Sequence, residues 1–198
     1  MSQLPWLDST TPFPDPETAL TDPNGLLAAS SDLDTHKILE AYQSGIFPWY
    51  SDDQPVLWWS PNPRCVVYPK DIHISKSLKK HIRLKQPVVT FDKAFTDVIQ
   101  HCARLGSEEG TWITEEMEEA YTHLHQLGHA HSVEVWQNSQ LVGGLYGIAM
   151  GECFFGESMF SLETNASKVA FIALSQQLDK WGYKLIDCQV DNPHLRTL

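Results

Sequence analysis

Between residues 132 and 160 the chain carries three apolar runs separated by turns too short for anything but hairpins. Residues 132–136 alternate with a period of two, Gln137-Asn138-Ser139-Gln140 supplies turn residues, and residues 141–150 and 153–160 continue as strands across Gly151-Glu152. Strands joined this tightly lie antiparallel beside one another. Residues 165–181 then place Phe171, Leu174, Leu178 and Trp181 at helical spacing, Gly182 stops that helix, and residues 184–190 return as a strand. The order β-β-β-α-β predicts an α+β class: a mixed sheet with helices packed on it.

Upstream the pattern loosens. Residues 1–33 are rich in Pro, Asp, Ser and Thr and read as an irregular arm anchored through Trp6, Phe13 and Leu26. Asp34 is a candidate N-cap for a short helix with Ile38, Leu39 and Tyr42 on one face and Gly45 as its stop. A segment dense in Trp and Pro follows, from Phe47-Pro48-Trp49-Tyr50 to Trp58-Trp59-Ser60-Pro61, where repeated Pro forbids long regular structure and the tryptophans must be buried or stack on something. At Arg64 the pattern changes, which divides the chain into a small N-terminal domain, residues 1–63, and a larger domain, residues 64–198. Cys65-Val66-Val67-Tyr68 and Val88-Val89-Thr90-Phe91 read as strands. Ser75 caps a basic helix with Lys76, Lys79 and Lys80, residues 93–104 form another helix, and Thr114 caps a third that Gly128 ends.

Composition narrows the function. With 198 residues, 42% hydrophobic and 20% charged, the chain is an ordinary globule with one sizeable core rather than a disordered chain. No run approaches the about 20 apolar residues that cross a bilayer, and Met1-Ser2-Gln3-Leu4-Pro5-Trp6 has neither the basic start nor the apolar stretch of a signal peptide, so no membrane role is expected. Cys65, Cys102, Cys153 and Cys188 lie far apart without a C-x-x-C pair, which predicts free thiols in a reducing cytoplasm. The net charge of −11 is unevenly spread: residues 71–104 hold seven Lys/Arg against three acids, and residues 105–163 hold ten acids and no Lys or Arg. Such runs are most often solvated faces. An acidic protein binds nucleic acid only through a local basic patch, and residues 71–104 offer one.

Three constellations bear on chemistry. His123, His125, His129 and His131 crowd together, and His125/His129 have the i, i+4 spacing of a zinc pair, but Gly128 breaks the helix between them and no H-E-x-x-H is present, so no metal is expected. Gln140-Leu141-Val142-Gly143-Gly144-Leu145 nearly matches the pyrophosphate loop of coenzyme-A acetyltransferases, yet Leu145 stands where Gly or Ala belongs and the motif opens a strand, so its glycines are expected to admit a close backbone or ligand or to form a bulge. Glu157 and Asp187 are acids inside apolar strands, costly unless partnered and therefore either site residues or structural hydrogen-bond partners. Alternation puts Gln189 on the face of Asp187, Met159 on the face of Glu157, and Cys188 away, where it packs.

Seven strings occur in order: Pro23-Asn24-Gly25-Leu26-Leu27, Gly45-Ile46-Phe47-Pro48-Trp49, Trp58-Trp59-Ser60-Pro61, Glu109-Gly110-Thr111-Trp112-Ile113, Gly156-Glu157-Ser158-Met159-Phe160-Ser161, Asn165-Ala166-Ser167-Lys168 and Leu185-Ile186-Asp187-Cys188-Gln189. Together they resemble the leucyl/phenylalanyl-tRNA-protein transferases over nearly the whole chain. The resemblance implies a small N-terminal domain plus an acetyltransferase-like catalytic domain. It also implies a cytoplasmic enzyme, expected to be a monomer, that moves Leu, Phe or sometimes Met from aminoacyl-tRNA to proteins beginning with Arg or Lys and so marks them for N-degron degradation. By matched position, Trp49 and Trp112 resemble the aromatics that hold the 3′-terminal adenosine; Leu145, Phe154, Met159, Leu174 and Ile186 the aminoacyl side-chain pocket; Glu157, Asp187 and Gln189 the polar centre; and Lys79, Lys80, Arg83 and Lys85 the patch that meets the acceptor stem. No cofactor is implied, because an aminoacyl ester is already activated. Asp187 would polarise Gln189, whose carbonyl oxygen accepts from the attacking amine, Glu157 would orient substrate, and the acids of residues 105–163 would attract the cationic acceptor residue.

The chain departs from the family twice. Members usually continue for a few tens of residues past the segment resembling Asn192-Pro193-His194-Leu195, whereas this sequence stops at Leu198, and a missing strand or helix there would expose a sheet edge. Leu162 stands where a basic residue is expected. Two other readings are a coenzyme-A-dependent N-acetyltransferase and a non-catalytic aminoacyl-tRNA or degron-binding module.

Overall fold

The structure, a computed structural model, describes residues 4–105, 113–191 and 196. Its first sheet is built from four short strands, β1 (Trp6–Leu7), β2 (Leu26–Ser30), β3 (Phe47–Pro48) and β4 (Val56–Trp59), in the order β1-β2-β4-β3. The expected irregular arm therefore contributes two strands. Their partners are remote: β1 lies parallel to β2, Trp6 opposite Ala29, and β2 pairs antiparallel with β4, Ala28 opposite Trp58 and Ala29 opposite Leu57, so local alternation carries no trace of them. The anchor is Leu7 and not Trp6, which is 60% exposed while Leu7 is 2% exposed. Helix α1 (Thr35–Gln43) starts as expected, with Asp34 accepting the Lys37 N–H at 3.1 Å, and buries Ile38, Ala41 and Tyr42.

The second sheet has six strands, β5 (Cys65–Val67), β6 (Val88–Phe91), β7 (Ala130–Gln137), β8 (Gln140–Met150), β9 (Cys153–Ser161) and β10 (Leu185–Gln189), in the order β5-β10-β9-β8-β7-β6. The expected meander is β7-β8-β9. Its first turn has positive φ at both Asn138 and Ser139, the geometry that matches strand twist in a two-residue hairpin. Helix α5 (Ala166–Trp181) then carries the chain over to β10, which runs parallel to β9. Helices α2 (Lys76–Lys85), α3 (Phe95–Leu105) and α4 (Glu115–Gln126) complete the α+β architecture, a mixed sheet with helices packed on both faces.

Two packed cores sandwich this sheet. On one face α5 buries Leu145, Phe154, Leu174 and Ile186. On the other, α3 and α4 cover Tyr146, Ile148, Phe155 and Phe160 in a cluster that runs without a break into α1 and the small sheet, taking in Tyr42 and Trp58. The glycine pair of β8 serves packing. A Cβ on Gly143 would lie 2.4 Å from the Ala166 Cβ, so glycine here lets the first turn of α5 settle onto the strand. The position that resembled a pyrophosphate loop is thus filled by protein.

The acidic run 105–163 is not one surface field. Glu134 is buried in β7, where the hydroxyls of Ser132 and Thr90 and the Lys93 N–H donate to it, and Glu116 accepts from the Leu33 N–H and the Tyr50 hydroxyl. Two of the histidines are equally committed: the His125 ring stacks on Phe95 and its Nδ1 donates to the Ala130 carbonyl, while His131 bonds Asp92 at 2.8 Å. Among the described residues no group of three or more His, Cys, Asp or Glu could hold a metal, and no helix is long and apolar enough to cross a membrane.

Candidate active site

Three irregularities of β8, β9 and β10 build one cavity. The first is a parting of strands. β9 and β10 pair only at Leu185/Cys153, Ile186/Phe154 and Asp187/Phe155. Beyond these pairs a cavity of about 490 Å³ opens between residues 156–161 of β9 and residues 188–190. Phe171 and Leu174 of α5 wall one side and Phe47, Pro48 and Trp49 of the small sheet the other.

The second is a bulge. Tyr146 faces Ser158 while Gly147 faces Gly156, which leaves Glu157 as the extra residue of β9. Strict alternation put Glu157 and Met159 on one face; the bulge separates them. Met159 packs on the α5 side. Glu157 turns to the opposite side, where its Oε2 accepts from the Tyr121 hydroxyl at 3.0 Å, and the Tyr42 and Tyr121 hydroxyls are themselves 2.7 Å apart. Burial pushes the Glu157 carboxyl up to about 7, against the lowering effect of its bonds to Tyr42 and Tyr121.

The third lies between Asp187, opposite Val66, and Gln189, opposite Cys65, with Cys188 as the surplus residue. Gln189 takes φ +61° and its N–H turns back onto Asp187 Oδ1 at 2.8 Å. Arg64 Nε bonds both Asp187 oxygens at 2.8 and 3.0 Å, and its guanidinium lies 4.8 Å over the Phe47 ring. The side-chain amide of Gln189 goes elsewhere: Nε2 donates to Glu157 Oε1 at 3.1 Å. Asp187 therefore holds Gln189 by its backbone, and the expected polarisation of the side chain by Asp187 is replaced by a grip from Glu157. With Nε2 so engaged, Oε1 is the atom Gln189 contributes as acceptor. Cys188 packs as expected and also borders the cavity; burial raises its thiol to about 12, so it stays protonated.

The cavity thus combines an apolar side, an aromatic mouth and an acid–amide pair. The family model described as leucyl/phenylalanyl-tRNA protein transferase matches residues 66–198, and the one for its N-terminal domain matches residues 31–62. The chain belongs to this family. The transferase of that name from Hahella chejuensis is 58% identical, over 100% of this chain and 85% of its own length. Those of Stutzerimonas stutzeri and Shewanella baltica are 57% and 56% identical over 98% and 94% of the chain, and 87% and 79% of their own lengths. Family membership, with the Gly143 position filled by Ala166, sets the coenzyme-A reading aside.

The positions singled out by the transferase resemblance fall as follows. Trp49, 44% exposed, stands at the cavity wall with its ring 5.6 Å from that of Trp59. Leu145, Met159 and Leu174 line the cavity beside Glu157 and Gln189. Phe154 and Ile186 are buried behind that wall, paired across β9 and β10. Asp187 sits beneath it on Arg64, and Trp112 lies outside the described residues. On α2, Lys79, Lys80 and Arg83 share one exposed helix face with Lys76, whereas Lys85 falls on the opposite side in the last turn, where it complements the helix dipole. Sequence reasoning missed Arg64, Tyr121 and Tyr146. One signal was available: Met117, Tyr121 and Leu124 share a face of α4, and a phenol on a core-facing stripe needs a buried partner.

Proposed function

We propose that this chain transfers Leu, Phe or Met from aminoacyl-tRNA to the N-terminal Arg or Lys of acceptor proteins, as a cytoplasmic monomer, and so marks them for N-degron degradation. The observation that carries this reading is an apolar cavity closed at its polar end by the Glu157–Gln189 pair, in a chain of this family. The aminoacyl side chain enters between Leu145, Met159 and Leu174, where the flexible thioether accommodates chains of different shape. Trp49, with Trp112, stacks the terminal adenosine. The α2 stripe of Lys79, Lys80 and Arg83 meets the acceptor stem, and Lys85, on the opposite side of the helix, is left out of that contact.

The chemistry asks little of the protein. The acceptor α-amine has an ordinary pKa of about 7.7–8.0, so on the order of a tenth is neutral at pH 7. Gln189 Oε1 accepts a hydrogen bond from that amine and aims its lone pair at the ester carbon. Glu157 fixes the amide of Gln189, and Arg64 with Asp187 fixes the backbone that carries it. No metal or cofactor is needed, since the ester is the activated species.

The deciding experiment is transfer of labelled Phe from charged tRNA to Arg-starting and Ala-starting peptides. Labelled product with the Arg peptide alone is expected; tRNA binding without transfer would establish a non-catalytic binding module instead. The double variant Lys79→Glu, Lys80→Glu is expected to weaken tRNA binding and to flatten its log–log salt dependence by about 2. An unchanged slope would return α2 to the status of a solvated face.

A further inference from the structure

We infer that Tyr146 is a further catalytic residue, donating its phenolic hydrogen bond to the carbonyl oxygen of the aminoacyl ester as that carbon becomes tetrahedral, an inference that rests on the transfer reaction proposed above. Tyr146 is fully buried and lines the cavity. Its hydroxyl has no hydrogen-bond partner, a condition it shares, among the described residues, only with Arg64 Nη2. A buried phenol without a partner is costly and uncommon, and such groups mark places where something else is to be bound.

The surroundings explain why the protein leaves it unpaired. Tyr146 sits on β8 at the step where Glu157 bulges from β9, with its ring edge-on to Tyr121 at 5.6 Å and to Phe95 at 5.8 Å. The other two tyrosines of this cluster are used up in the chain Tyr42–Tyr121–Glu157, and the second carboxylate oxygen of Glu157 is taken by Gln189. The cavity's serine hydroxyls are occupied as well. Ser158 bonds Cys102, Ser161 Oγ donates to the Glu163 carbonyl and accepts the Ser167 N–H, and Ser167 has a partner of its own. Of these side chains, Tyr146 is left with a buried hydroxyl that has a donor to give. Burial, reinforced by the charge of Glu157, holds its phenol well above the ordinary value, so it stays protonated wherever the enzyme works.

The reaction needs both kinds of group. The amine nitrogen attacks the carbonyl carbon, the C–N bond forms, the C–O bond to the ribose 3′-oxygen breaks, and one amine proton ends on the released 3′-hydroxyl. Gln189 Oε1 suits the amine, being an acceptor. The carbonyl oxygen gains negative charge midway and calls for a donor in a dry site, which is where preorganised donors act most strongly. Tyr146 keeps its own proton throughout.

Tyr146→Phe removes the hydroxyl and no bond within the protein. It is expected to lower kcat at least tenfold with KM within twofold of wild type, and to leave Tm unchanged or raised. A phosphonate analogue of the aminoacyl adenosine ester, carrying a tetrahedral oxyanion, should lose at least tenfold in affinity for the variant, while the planar amide analogue binds both proteins equally. Incorporation of 3-fluorotyrosine at position 146, which retains the donor, should restore kcat. Wild-type kcat in Tyr146→Phe, equal loss of both analogues, or a fall in Tm that tracks the loss of rate would overturn the inference. Absence of transfer by the wild-type chain would instead overturn the reaction on which it rests.

Discussion

Asp187→Ala is expected to lower transfer about a thousandfold and to remove about 3–5 kcal/mol of stability, the cost of leaving a buried charge without its partner. The structure adds the second effect to the first. Asp187 is 5% exposed and holds Arg64 by both oxygens, so truncation strands a guanidinium that already has one unpartnered nitrogen. It also frees the Gln189 N–H, which keeps that residue at φ +61°, and a shift of about 1 Å at a reacting group can cost about a hundredfold. Urea unfolding and single-turnover transfer, measured side by side, separate the two. The pair Arg64→Met, Asp187→Leu should regain most of the stability, because apolar residues of similar volume replace a buried ion pair with little loss, while remaining as inactive as the single variant. If Asp187→Ala kept both its rate and its urea midpoint, the Arg64–Asp187 pair would have no part in holding Gln189.

Glu157→Gln is expected to lower transfer about a hundredfold and to flatten the pH dependence of stability. The two carboxylate oxygens accept separately: Oε2 from the Tyr121 hydroxyl, with the Tyr42 hydroxyl beside it, and Oε1 from Gln189 Nε2. A glutamine has one acceptor oxygen, so keeping the bond to Tyr121 presents an NH₂ to Gln189 and forces that amide to turn over, putting Nε2 where Oε1 had met the amine. The pH effect follows from burial. Glu157 titrates at about 7 in the fold against 4.5 when exposed. Between those values the folded chain keeps a proton that the unfolded chain has lost, so stability falls by about 3 kcal/mol as pH rises from 4.5 to 7 and levels off above. His131, held protonated by its bond to Asp92, loses stabilisation in the same direction on passing through its own raised pKa, so the Glu157 contribution is read as the difference between wild type and variant. Parallel curves for the two proteins between pH 5 and 7 would show that Glu157 ionises freely.

The meander, the α5 crossover and the caps at Asp34, Ser75 and Thr114 were legible because each depends on neighbours within a few residues. β1 and β2 were not, since two- and five-residue strands are recognised only with their partners, β2 for β1 and β4 for β2. The site shows the same division. Glu157 and Asp187 stand out as acids in apolar strands, and Gln189 beside them. Arg64, 123 residues from Asp187, has no local signature, and neither does the bulge that turns Glu157 away from Met159, because alternation assumes a ladder without a surplus residue. The family resemblance named the wall of the cavity through Leu145, Met159 and Leu174 but not the tyrosines behind Glu157, which only tertiary packing assembles.

The unbroken core that joins α1 and the small sheet to α3 and α4 has a consequence for anyone who would dissect this enzyme. Sequence profiles cut the chain between residues 62 and 66, yet that cut passes beside Arg64 and severs Tyr42 from Tyr121 and Phe47 and Trp49 from the cavity they wall. The larger part, expressed alone, would present to water the aromatic surface against which α1 packs, and would lack one side of the cavity. The larger part is therefore no portable module: its border in sequence runs through the middle of its hydrophobic interior, and grafting or shuffling is best done at the far edges of the sheets.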